Sequence, residues 1–208
     1  MKKYIQLLIE NIFDDIYSIN NNINLDIEIA NKLDYKYFPK NKNELKNILI
    51  KLLNKRGPNA NLNDIDVSKI TNMSFLFYDL NFYDNIKIHN IDISDWNVSS
   101  VKDMTGLFKD CYNFNGDLSK WNVCSVIYMT DVFWNCKKFN GDLSKWDVSS
   151  VTDMSGMFWN CNNFNGDLSK WDVSSVTDMS GMFWNCNNFN GDLSKWNVSS
   201  VIDMAGMF

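Results

Sequence analysis

Cysteine is the first residue type in this sequence whose spacing suggests chemistry. Four cysteines recur every 25 residues, at Cys111, Cys136, Cys161 and Cys186. Such a row is compatible with disulfides or a metal site. The equivalent position of the first repeat is Leu80, which indicates an apolar position where cysteine serves as a small hydrophobic residue. We therefore expect buried thiols rather than disulfides or metal ligands.

The remaining cysteine and the single histidine do not complete a catalytic arrangement. Cys124 occupies a position where other repeats have serine, so we expect it at an exposed corner and expect its thiol to react. His89 lies in an insertion, and it would have to act as general base for any serine or cysteine nucleophile. The sequence predicts no catalytic residue.

Aspartate forms two further rows. Asp117, Asp142, Asp167 and Asp192 follow an Asn-Gly pair, and Asp103, Asp153, Asp178 and Asp203 precede a methionine. Calcium-binding β-rolls also carry acidic rows, but their Gly-Gly-x-Gly-x-Asp pattern is absent here. Hydrolysis requires a singular pair of carboxylates with separated pKa values, which an identical row does not offer. We expect these carboxylates to cap turns, and we predict no metal and no cofactor.

These residues must be positioned by a repeated unit. Tryptophan recurs every 25 residues, at Trp96, Trp121, Trp146, Trp171 and Trp196. An earlier copy, "DIDVSKITNMSFLF", has Ile65 in the tryptophan position and is followed by an insertion around "NIKIHN". About five and a half repeats result, and a fixed period of this length is typical of a solenoid.

Within one repeat the apolar positions predict the local structure. They are Leu168, Trp171, Val173, Val176, Met179, Met182, Phe183, Cys186 and Phe189. We expect a short strand in "DLSKWDV", a helical turn in "DMSGMFWNC" and a tight turn at each Asn-Gly pair. Stacked strands would form a parallel sheet with about 4.8 Å between repeats.

The chain divides into a helical N-terminal cap over residues 1–61 and a solenoid over residues 62–208. The stretch "NKNELKNILIKLLNKRGP" predicts a helix capped by Asn41 or Asn43 and stopped by Gly57 and Pro58. The first residues resemble a secretory signal, but acidic residues interrupt them. An amphipathic helix is the better interpretation, with an apolar face of Ile5, Leu8, Ile12, Phe13 and Ile16.

Two surface rows are candidates for binding. The lysine column precedes the tryptophans and consists of Lys120, Lys145, Lys170 and Lys195; Asp147 and Asp172 follow the same tryptophans. Strand alternation would turn these charges outward, onto a mixed-charge face. The outer tryptophan column consists of Trp134, Trp159 and Trp184, with Lys109 and Tyr78 as its earlier equivalents. Its rings either form an exposed binding row or lie flat on their neighbours and seal the repeat.

The repeat also resembles a known family. L-x-x-W-x-V-x-x-V resembles the frame of leucine-rich repeats, and M-x-x-[ML]-F-x-x-C-x-x-F resembles the 26-residue-type repeats of mycoplasma-like surface lipoproteins. The resemblance covers residues 62–208. It implies a right-handed α/β solenoid used for surface display, adhesion or protein binding. Val176 departs from it, because the leucine-rich frame has asparagine there.

The whole sequence therefore predicts a non-enzymatic interaction scaffold that binds protein or glycan through its repeated surface. A net charge of −5 disfavours nucleic acid, and no apolar run is long enough to span a membrane. The alternatives are a metal-dependent or polysaccharide-acting enzyme, and a repeat protein without a specific role. Because "VIDMAGMF" stops halfway through a repeat, two alternatives stay open: the sequence is part of a longer array, or a second copy covers this end. The second alternative gives end-to-end self-association as a hypothesis. The location stays open: the sequence favours the cytoplasm, and the resemblance favours the cell surface.

Overall fold

The computed structural model describes residues 35–208, and these form a single compact unit, Tyr35–Phe208. The amphipathic helix predicted over residues 5–16 lies outside the described residues. The predicted domain boundary near residue 61 remains a prediction, although the helix before it and the repeats after it belong to this one unit.

Helix α1 spans Lys42–Arg56, as the sequence predicts. The Asn41 side chain accepts a hydrogen bond from the backbone N–H of Glu44 at 3.0 Å, which satisfies one of the free donors at the helix start. Gly57, with φ of +83°, ends the helix. Its buried face consists of Leu45, Leu49, Leu52 and Leu53, and Lys42 and Arg56 bond to Ser74 and Asp64 of the first repeat.

Helix α2 spans Leu76–Phe82 and exists in the first repeat alone among the described repeats. In the later repeats the same stretch forms turns. The difference arises at Asp79, which is helical, whereas the equivalent residues Asp110, Asn135, Asn160 and Asn185 have φ of 57–59°. A left-handed residue stops a helix, and the insertion after α2 gives the first repeat room to continue. The predicted helical turn is therefore correct for one repeat.

The predicted strand in "DLSKWDV" is not present, because this stretch forms turns. Parallel pairing occurs elsewhere, as single bridges along the column Asn72, Asp103, Tyr128, Asp153, Asp178 and Asp203. Beyond each bridge, alternate N–H groups donate to the next repeat: those of Met129 and Asp131 bond to the carbonyls of Asp153 and Ser155. The predicted burial still holds, since Trp171 and Val173 are buried while Lys170 and Asp172 are exposed.

Consecutive repeats pack on one another through columns of like rings. The core tryptophan pairs Trp96–Trp121, Trp121–Trp146 and Trp171–Trp196 lie nearly parallel at 6.4–6.5 Å between centroids. A second column, from Phe108 to Phe183, has spacings of 5.6–5.7 Å. Each core tryptophan also donates its indole N–H to a backbone carbonyl of the preceding repeat, as Trp171 does to Leu143 at 3.0 Å. The buried polar atom is thereby satisfied, and the repeats are held in step.

Candidate interaction surfaces

The outer tryptophan column is a closed stack. The ring centroids of Trp134 and Trp159 are 4.4 Å apart, and those of Trp159 and Trp184 are 5.2 Å apart. The ammonium of Lys109 lies 4.6 Å from the ring centroid of Trp134 and covers its other face. The rings therefore lie flat on one another, as in the second of the two alternatives, and Trp134 and Trp159 offer edges rather than faces to solvent. Trp184 is the most open, at 45% exposure.

Glycines support this column from the next repeat. A β-carbon on Gly156, Gly181 or Gly206 would lie 2.5–3.2 Å from a carbon of the indole above it. Each of these glycines also has φ near +60°, in the left-handed region. Glycine therefore meets two requirements at this position: the left-handed turn of the backbone and the close approach of the indole ring.

One step of the column has different chemistry. Where Lys109 replaces tryptophan, the supporting position is Asp131 instead of glycine, with φ of +54°. The two side chains form an ion pair with Nζ and Oδ2 at 2.6 Å, and about a quarter or less of each is exposed. Burial raises the pKa of Asp131, and the hydrogen bond and charge of Lys109 oppose that shift.

The lysine column lies on the exposed surface, and so do Asp147 and Asp172. Lys120 forms an ion pair with Asp95 of the preceding repeat at 3.0 Å, which raises the pKa of the lysine. Within the described residues the other three lysines form no ion pair shorter than 4.0 Å. Their ammonium groups nevertheless lie near Asp142, Asp167 and Asp192, whose pKa values they help to lower.

The carboxylate rows cap turns, as the sequence predicts. In each corner the Oδ1 atom accepts the backbone N–H of the residue two positions on, and Asp117 does so from Ser119 at 2.9 Å. The same contact recurs at Asp103, Asp142, Asp153, Asp167, Asp178, Asp192 and Asp203, and at Asp147 and Asp172 of the candidate surface. Hydrogen bonds from Ser119 hold the pKa of Asp117 below its usual value. Asn97, Asn122 and Asn197 make the same contact, so the corner requires an acceptor rather than a charge.

Two asparagine ladders were not foreseen from the sequence. The amide of Asn160 donates to Asn135 Oδ1 at 2.7 Å, the amide of Asn185 donates to Asn160 in the same way, and the ladder begins at the carboxylate of Asp110. In the second ladder, Asn115 accepts the backbone N–H of Asn140, and the pattern continues to Asn165 and Asn190. The signal available was the invariance of both asparagine positions in the last full repeats. At the Val176 corner, where the leucine-rich frame has asparagine, the backbone N–H of Val176 donates to the carbonyl of Val173 at 3.0 Å.

The cysteines of the repeated row are buried and free, as predicted. Their position is not purely apolar, because the thiols of Cys136, Cys161 and Cys186 donate to the phenylalanine carbonyl of the preceding repeat at 2.7–3.0 Å. Burial raises the pKa of Cys186 to about 12. Cys124 is half-buried at a turn, and its reactivity remains a prediction.

A cluster of aromatic rings on α2 was also missed. This α2 aromatic cluster consists of Phe75, Tyr78, Phe82 and Tyr83, in contact at centroid distances of 5.0–6.3 Å. Phe82 is 61% exposed and Tyr83 is 70% exposed. The nearby charges are paired, since Lys46 lies 3.1 Å from Asp84 and 3.8 Å from Asp79. The spacing of four between Tyr78 and Phe82 could have indicated a helical aromatic face.

Residues 35–208 contain neither a metal-binding group of side chains nor a membrane-spanning helix. In this part of the chain, no group of three or more histidine, cysteine, aspartate or glutamate side chains is arranged to hold a metal ion. Neither of its helices has the length and apolar character needed to cross a membrane.

Comparison with known proteins gives one match. Residues 47–150 and 135–208 match the family model described as "Mycoplasma protein of unknown function, DUF285". No curated protein and no solved structure matches the chain. The predicted resemblance to mycoplasma repeat proteins is confirmed in this coarse form.

Proposed function

The chain belongs to this mycoplasma family of unknown function, and from its surface geometry we propose a non-enzymatic interaction scaffold that binds protein or glycan. We also propose that the stacked repeats form a right-handed solenoid related to leucine-rich repeats, and that it acts at the cell surface. The contacts of the rings and ladders between successive repeats support the solenoid, and the family match supports a relation to mycoplasma repeat proteins.

The observation that carries the proposed function is the α2 aromatic cluster. Phe82 and Tyr83 expose most of their ring surface and meet edge to face, at 5.0 Å and 82°. Exposed aromatic side chains on a rigid support bind proteins and sugars well, because each offers a large contact area at a small entropic cost. The outer tryptophan column supplies a rigid neighbour in the repeats that follow, but the ring faces of Trp134 and Trp159 are already covered.

The lysine column gives the same proposal a second candidate surface. Lys145, Lys170 and Lys195 expose one cation per repeat beside carboxylates, so this face presents both charges at a fixed interval. A partner with matching charges would bind it in a salt-dependent way. The α2 aromatic cluster, whose flanking charges are paired, would bind in a way that salt hardly weakens.

The enzyme alternative has less support from the site geometry. Carboxylates of both rows accept turn hydrogen bonds, and hydrogen bonds from the serines two positions on lower the pKa values of Asp117, Asp142 and Asp192. We therefore propose corner capping, not acid–base catalysis, as their role.

The test is a comparison of two surface variants against purified extracellular-matrix proteins and a panel of oligosaccharides. F82S/Y83S removes the exposed rings, and K145Q/K170Q/K195Q removes the cations. The control Y128S changes an exposed tyrosine whose equivalents in other repeats are aspartate or asparagine. We expect F82S/Y83S to weaken binding by about tenfold or more, a loss of at least about 1.4 kcal/mol, with the melting temperature unchanged.

Two other outcomes would change the proposal in different ways. Loss of binding in the lysine variant alone would move the site to the charged face and keep the scaffold proposal. Absence of binding to every member of the panel by the unaltered chain would contradict the proposal itself.

A further inference from the structure

The sequences of the last full repeats do not by themselves specify which repeat stacks on which. Residues 146–170 and 171–195 are identical in sequence. Identical repeats offer identical contacts to a neighbour, so stacking alone does not decide which repeat follows which. A unique order must be specified by contacts that one interface has and the others lack.

The interface between residues 96–120 and 121–145 has such a contact. At three other steps of the outer column an indole lies over a glycine: Trp134 on Gly156, Trp159 on Gly181 and Trp184 on Gly206. At this interface both partners differ together, because Lys109 replaces the indole and Asp131 replaces the glycine. Their ion pair at 2.6 Å is partly shielded from water.

A second contact at the same interface is also unique. Asp110 stands where the later repeats have asparagine, and its carboxylate accepts the amide of Asn135 at 2.6 Å. Its backbone carbonyl accepts the amide of Asn81 from the first repeat at 3.1 Å. The asparagine ladder thus has a fixed beginning, adjacent to the Lys109–Asp131 pair.

We propose that Lys109 and Asp131 form a register key, a pair that makes residues 121–145 the required neighbour of residues 96–120. If residues 96–120 packed on 146–170 instead, Lys109 would face Gly156 and find no carboxylate there. Asp131 would leave the interface together with the displaced residues 121–145, so the ion pair of Lys109 would be lost. An indole in place of Lys109 would meet the Asp131 side chain where the other indoles find glycine.

The experiment traps the register with disulfides at equivalent corner positions. Ser99, Cys124 and Ser149 occupy the same place in three successive repeats. Equivalent core rings of neighbouring repeats lie 5.7–6.5 Å apart here, and those of alternate repeats lie about twice as far apart, whereas a disulfide needs Cα atoms within about 7 Å. The variant S99C therefore reports the native register with Cys124, and S99C/C124S/S149C reports a register shifted by one repeat.

Both reporters are placed in the parent chain, in D131G and in K109W/D131G, then refolded, oxidised and mapped by mass spectrometry. In the parent we expect a crosslink from the first reporter alone. In D131G and in K109W/D131G we expect the shifted reporter to crosslink in a measurable share of the molecules. K109W/D131G also restores the usual indole–glycine contact, so its melting temperature should match or exceed that of the parent.

The control is K120Q, which breaks the more exposed Lys120–Asp95 pair between repeats and should leave the crosslinks unchanged. D131G introduces the glycine that the later repeats have. Its crosslinks therefore test whether the ion pair sets the register even if K109W/D131G folds poorly. If both variants give the crosslinks of the parent, the pair does not set the register. A lowered melting temperature with parental crosslinks would assign it a stabilising role alone.

Discussion

The indole of Trp159 lies on Gly181, where a β-carbon would be 2.5 Å from the ring carbon Cζ3. The two residues are 22 positions apart and belong to successive repeats. Gly181 also has φ of +61°, so a turn requirement and a packing requirement coincide at one residue. This relationship explains why the position changes to aspartate only where the indole above it becomes lysine.

Substitution of Gly181 by alanine should separate these two requirements. We expect G181A to lower the free energy of unfolding by about 2–5 kcal/mol, the sum of about 1–2 for a left-handed residue and about 1–3 for overpacking. In a W159A background the same change should cost only the backbone part. Urea denaturation of the four proteins measures the coupling, and equal costs in both backgrounds would rule out the ring contact.

Asn160 allows the stabilisation by the asparagine ladder to be compared with the cost of its left-handed backbone conformation. Its φ is 57°, and its side chain both accepts from Asn185 and donates to Asn135. N160G should lose the hydrogen bonds alone, at a cost of about 1–3 kcal/mol. N160A should cost about 1–2 kcal/mol more, because alanine is strained in the left-handed region. Urea unfolding checks the order, and equal stability of the two variants would contradict it.

The five thiols should differ in their reactivity. Burial raises the pKa of Cys186 to about 12 and the pKa values of Cys136 and Cys161 well above the ordinary value. The reactive thiolate is therefore scarce at these positions near neutral pH. We expect iodoacetamide to modify Cys124 in the folded protein and the other four only in urea. Peptide mapping by mass spectrometry measures this, with C124S as the control; rapid labelling of Cys161 in the folded state would contradict it.

The corner carboxylates should make stability depend on pH in the acid range. Hydrogen bonds from Ser119 lower the folded-state pKa of Asp117, so its contribution is present above the unfolded value of about 3.9 and is lost as the pH falls through the folded value. D117N keeps an acceptor for the Ser119 N–H, as Asn97 does for Ser99. We expect D117N to melt near the parent at neutral pH and to lose less stability on acidification, and D117A to melt a few degrees lower at neutral pH. Thermal melts from pH 7 to pH 3 test both, and a steeper acid loss in D117N would reverse the assigned sign.

The predicted self-association through the last repeat remains a prediction. Light scattering over a range of concentrations measures it.

Much of the fold could be predicted because the residue types at equivalent positions can be compared between repeats. A position that accepts both leucine and cysteine must be buried, and one that accepts lysine must reach water; the burial of Cys161 and the partial exposure of Trp159 agree with this. The strand in "DLSKWDV" was wrong because alternation of buried and exposed residues also arises from successive tight turns. The local backbone conformation was not encoded in that pattern.

The sequence by itself determined the period, the buried positions, helix α1 and the capping role of the carboxylates, because these depend on hydrophobic spacing and on contacts within a few residues. Only the tertiary structure decided which groups meet between repeats: the closed indole stack, the glycines that support it, the asparagine ladders and the exposed cluster on α2. Those contacts join residues more than 20 positions apart. They depend on how closely two backbones approach, and that distance is set by the packing of all the repeats together.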